Sequence, residues 1–95
     1  MKKIYKFRWD VGRMGHLDSI FTADDEDVKK AIGQQVYFGE VLGKHSEIYG
    51  PLEEKDIKVL TDDQDFIKKA EEIGLDHSGY NPLHYLPEEE EEEER

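Results

Sequence analysis

Two glycine-bracketed stretches hold most of the side chains that could do chemistry. In "GEVLGKHSE", residues 39–47, Lys44, His45 and Ser46 are consecutive, with Glu40 and Glu47 on either side. In "GRMGH", residues 12–16, Arg13 and His16 flank a glycine. A cation, an imidazole, a hydroxyl and accessible backbone amides are the groups that hold an anion. If both stretches close on one ligand, Arg13 and Lys44 supply charge and His16, His45 and Ser46 supply hydrogen bonds. Glu40 or Glu47 then orients Lys44 or accepts a ribose hydroxyl. The plainer reading makes both stretches hairpin turns with solvated tips. Loops on a rigid sheet are nevertheless where sites tend to sit.

Sharper chemistries fail on spacing. A phosphate-binding nucleotidase loop needs four residues between its glycines, then Lys directly before Ser or Thr, then a helix. Here three residues separate Gly39 from Gly43, and His45 splits Lys44 from Ser46. His45 beside Ser46 is not a catalytic dyad, because a base must reach the hydroxyl and be held by a third group. The strand–turn–helix elbow of serine hydrolases is also missing. The four histidines, His16, His45, His77 and His84, show no i,i+4 pair, and the chain has no cysteine. No metal and no cofactor are expected on that basis.

The elements that must position these groups follow from periodicity. Residues 3–11 alternate, with Tyr5, Phe7, Trp9 and Val11 on one face and Ile4, Lys6, Arg8 and Asp10 on the other, which predicts a half-buried strand. The aromatic face can stack bases, but helices need an apolar surface, so it is expected to be core. Lys6 and Arg8 can join a basic pocket or pair with Asp18. "VGRMGH" predicts a hairpin turn into a second strand with Leu17, Ser19 and Phe21 on one face. "TADDEDVKKAIG" predicts a helix capped by Thr22 and ended by Gly33. "QQVYFGEVL" and "IKVL" predict the third and fourth strands, with a turn-rich segment between them. "TDDQDFIKKAEEIG" predicts a helix with a Thr61/Gln64 capping box and an apolar stripe of Phe66, Ile67, Ala70 and Ile73. "LDHSGYNPLHYLP" is expected to wrap back onto the domain. The expected fold is α+β: a small antiparallel sheet with two helices on one face, in the order ββαββα.

Ninety-five residues make one domain, expected over residues 1–86, with an acidic tail over 87–95 expected to be disordered. That tail holds seven glutamates and one arginine; removing them from the 24 acids and 13 bases takes the net charge from −11 to −5. This balance argues against direct nucleic-acid binding and suits an encounter with a basic protein surface. Nothing in the sequence reads as a signal peptide or a membrane span, so a cytoplasmic location is expected. Exposed sheet edges leave a homo-oligomer open.

An acidic balance, a glycine-punctuated ββαββα pattern and the segments "GRMG" and "FGEVLGKHSE" resemble the small uncharacterised accessory proteins of bacterial viruses. The resemblance implies a protein that binds rather than catalyses, blocking a host protein or sequestering a small signalling nucleotide. The leading expectation is therefore a non-enzymatic, counter-defence binding protein for an anionic, nucleotide-like ligand. Two other readings stand beside it: an acidic module that inhibits a basic, nucleic-acid-binding host protein, and a small hydrolase built around His45 and Glu47.

Overall fold

The computed structural model describes residues 1–42 and 47–86. The acidic tail and the loop positions Lys44, His45 and Ser46 lie outside the described residues. The first two strands, β1 (Lys2–Asp10) and β2 (His16–Asp24), form the expected hairpin. Its connection is a single 3-10 turn, Gly12–Met14, closed when Val11 N–H donates to Gly15 O at 2.9 Å. Gly12 and Gly15 take φ of +68° and +109°, the left-handed region that side chains resist. Alternation then decides burial: Tyr5 and Phe7 of β1 and Leu17, Ser19 and Phe21 of β2 are all buried.

Helix α1 (Asp25–Ala31) follows β2 directly. Thr22, expected to cap it, instead lies inside β2 opposite Ile4, and its hydroxyl donates to Asp76 O at 3.1 Å. The cap position belongs to Asp24, whose carboxylate is taken by the Met1 amine at 2.7 Å. Asp25, Glu26 and Asp27 in the first turn and Lys29 and Lys30 in the last suit the helix dipole. Helix α2 (Gln64–Glu72) is capped by Asp63, whose side chain accepts from Asp65 N and Phe66 N. Thr61 instead accepts from Asp63 N, and Gln64 donates to Lys2 O at 2.8 Å. The expected Thr61/Gln64 box is thus replaced by an aspartate cap two residues closer to the helix.

The remaining strands are β3 (Gln35–Gly39), β4 (Ile48–Pro51), β5 (Ile57–Thr61) and β6 (Ser78–Gly79). Among the described residues the order is therefore ββαβββαβ rather than ββαββα. Strand β4 carries Gly50 and Pro51, which disfavour strand interiors but are tolerated in this hairpin. β3 and β4 pair only with each other, whereas the main antiparallel sheet runs β5-β1-β2-β6.

The helices lie on opposite faces of that sheet, not on one. Neighbouring strand residues point to opposite sides. Tyr5 belongs to the large core that includes Val28 and Ala31 of α1, while Ile4 is buried with Ile67 and Ala70 of α2. The β3–β4 hairpin adds Val36, Phe38 and Ile48 to the large core, and the 3-10 turn Pro82–Tyr85 closes it. Phe7, Phe21, Val36 and Leu52 are fully buried there, each worth about 1.5–3 kcal/mol. Phe66 and Ile73, expected in the stripe of α2, are instead 57% and 61% exposed, because α2 reaches the sheet only along Ile67 and Ala70. Leu83, Tyr85 and Leu86 pack back onto the domain as expected, whereas Leu75 stays exposed. No helix among the described residues is long and apolar enough to cross a membrane.

Candidate functional site

Arg13 sits exposed in the 3-10 turn at the β1–β2 tip. His16 opens β2 opposite Asp10, and its Nε2 lies 3.4 Å from Asp18 Oδ2. Asp18 also receives Arg8 Nη1 at 3.1 Å, directly across the strands. So the expected cross-strand pair forms with Arg8, and one carboxylate faces both the guanidinium and the imidazole. These side chains are roughly half exposed, so the pairs are exchangeable and weakly stabilising.

The described part of the second loop is acidic. Gly39, at φ +82°, ends β3; Glu40 follows it and Glu47 stands just before β4, both exposed. Tyr37 and Tyr49 face each other across the hairpin with centroids 6.0 Å apart and planes at 27°. Desolvation, then the charge of Glu47, a hydrogen bond to it and the charge of Glu40 hold the Tyr37 phenol above its ordinary range. Glu40 and Glu47 therefore converge on one tyrosine.

Between the roots of the two loops lies an open cleft of about 480 Å³. Asp10 and Val11, where the first loop departs, form one side; Tyr49, just past Glu47, forms the other, and Glu53, Lys55 and Asp56 close the end. Trp9 is its anchor. The indole Nε1–H donates to Asp56 Oδ2 at 2.8 Å, and the ring meets Phe38 edge-on at 5.4 Å. The same Asp56 oxygen accepts Glu53 N–H at 2.9 Å, fixing the 3-10 turn Glu54–Asp56. Arg8 and Lys55 stand on the cleft, with Lys55 Nζ 3.5 Å from Glu53 Oε1.

The sequence put Trp9 in the core, with base stacking as the lesser reading, and Tyr49 and Lys55 fell in the turn-rich segment. The signal that connects them is the polar handle of the indole, which when partly buried calls for an acceptor that Asp56 supplies. The cleft lining holds stacking rings, two cations and three carboxylates, but no histidine and no serine, threonine or cysteine. Among the described residues no group of three or more histidines, cysteines or carboxylates is placed to hold a metal ion. Comparison with protein-family models, curated proteins and solved structures gives no match.

Proposed function

We propose that this chain is a small non-enzymatic binding protein, and that its ligand is an anionic, nucleotide-like molecule held in the Trp9–Tyr49 cleft. One observation carries the reading: a cleft of about 480 Å³, within the ordinary range for small-ligand sites, joins two aromatic faces to Arg8 and Lys55. A base stacks on an aromatic face. Arg8, released from the exchangeable pair with Asp18, and Lys55 meet phosphate oxygens. Asp10 and Glu53 accept from ribose hydroxyls or base amino groups. Arg13 and His16 add polar groups from the first loop. Sequestering such a molecule matches the counter-defence role that the viral resemblance implies.

The chain contains a single tryptophan, so its fluorescence reports on this cleft. Titration with mono- and dinucleotides should quench Trp9 saturably, and inorganic phosphate alone should not. Tyr49→Ala and Lys55→Ala should each weaken binding about tenfold, which corresponds to about 1.4 kcal/mol. Failure of every nucleotide to bind by fluorescence and calorimetry would overturn the proposal. So would unchanged affinity in both variants.

A further inference from the structure

The run Glu88–Glu94 has no part in that cleft. A counterpart for it exists on the sheet face that α2 only partly covers. α2 screens the Lys2–Ile4 end of that face: Lys2 Nζ binds Glu71 Oε2 at 2.7 Å, and Ile4 is buried under Ile67 and Ala70. The next row along the same face is bare. Lys6 pairs in register with Lys58 on β5 and with Ile20 on β2, and Ile20 pairs with Ser78 on β6. All four residues of the row are exposed.

Like charges directly opposite each other destabilise a sheet. Among the described residues neither Lys6 nor Lys58 makes an ion pair. In a chain of net charge −11, two adjacent uncovered lysines call for an anionic cover. We propose that the chain's own Glu88–Glu94 run lies across the Lys58–Lys6–Ile20 row. Charge complementarity favours it, with seven glutamates against two lysines. Reach allows it. Leu86 packs on the large core, on the opposite face of the sheet from Lys6, so the tail must first round the sheet edge, about 10 Å. Crossing from β6 to β5 is three strand spacings, about 14 Å. The nine residues after Leu86 span up to ~30 Å when extended. The contact is a loose electrostatic one that salt dissolves.

Backbone amide spectra of the full chain and of a chain ending at Pro87 test this. In about 0.01 M salt, where the Debye length is ~30 Å, amide shifts should differ at Lys6, Ile20 and Lys58. In about 1 M salt, where it is ~3 Å, the differences should vanish. They should also vanish when the pair of chains is compared on the Lys6→Gln/Lys58→Gln background. Identical spectra in low salt would overturn the proposal, as would differences that persist in the double variant. Differences that grow with protein concentration would also overturn it, assigning the contact to the tail of a second copy.

Discussion

Asp56→Ala is the most informative single change, because one carboxylate oxygen anchors both the cleft's tryptophan and the turn at its end. Two hydrogen bonds disappear: Trp9 Nε1–H at 2.8 Å, partly buried, and Glu53 N–H at 2.9 Å, exposed. A hydrogen bond to a charged acceptor contributes about 1.5–3 kcal/mol net, and leaving a buried donor without a partner adds to the loss. The indole bond takes the lower part of that range, since the ring is only half-buried. The exposed amide can turn to water and adds about 0.5 kcal/mol. The sum is about 2–3 kcal/mol. For a domain of this size each kcal/mol moves Tm by about 4–8 °C, so Asp56→Ala should melt roughly 8–24 °C below the parent. Trp9 emission should shift to the red as the ring loosens. Asp56→Asn, whose amide oxygen still accepts the indole proton, should recover about half of the loss. Differential scanning calorimetry and tryptophan fluorescence read both quantities. A melting temperature within about 2 °C of the parent with unchanged emission would refute the anchoring role of Asp56, and with it the fixed wall of the cleft.

Ser19 is buried in β2, and its hydroxyl finds no hydrogen-bond partner among the described residues. Ser19→Ala removes that unmet group and should raise stability by about 1 kcal/mol in urea denaturation. Gly79 of β6 sits at φ +82°, and a Cβ there would run into the Asp18 carbonyl oxygen; Gly79→Ala should cost at least about 2 kcal/mol and loosen β6, read by amide exchange at Ser19 and Ile20. The Met1 amine is held above its ordinary pKa, chiefly by its hydrogen bond to the Asp24 carboxylate. A raised pKa means that the stabilisation is complete below the unfolded value, about 8, and is lost as pH rises through the folded value. Melting curves between about pH 7 and pH 10 should therefore fall further for the free amine than for an N-acetylated chain.

The β1–β2 hairpin was readable because strict alternation and paired glycines fix both register and turn. The aromatic face of β1 was readable as core, since no other surface of the chain is as apolar. The side on which α2 packs was not readable from its own stripe. A helix pattern says which of its faces is apolar, but not which sheet face receives it. Ile4 was the clue: an isoleucine on an otherwise charged face needs a cover, and α2 provides it. Strand β4 was hidden by Gly50 and Pro51, whose usual meaning is a turn. Of the candidate site residues, Arg13 and His16 sit at the hairpin tip where the pattern put them, and Glu40 and Glu47 meet around Tyr37. The cleft itself was not legible, because it is built by bringing Trp9 against Asp56, and no periodicity links a strand to a 3-10 turn so far along the chain.

One of the two central strands of the main sheet is also the first of its four to be made. β1 begins at Lys2 and stands between β2 and β5. Its neighbour β2 follows at once, but β5 begins only at Ile57. During synthesis the β1–β2 ribbon must therefore wait, both long sides unpaired and both faces bare, until the later half of the chain emerges. Contacts that close over such a distance are slow to form, and an isolated ribbon is marginal in water. A fusion partner at the amino end would leave from mid-sheet beside the start of α1, where Met1 O accepts Asp25 N–H at 3.0 Å. It would load the strand that both β2 and β5 must pair with.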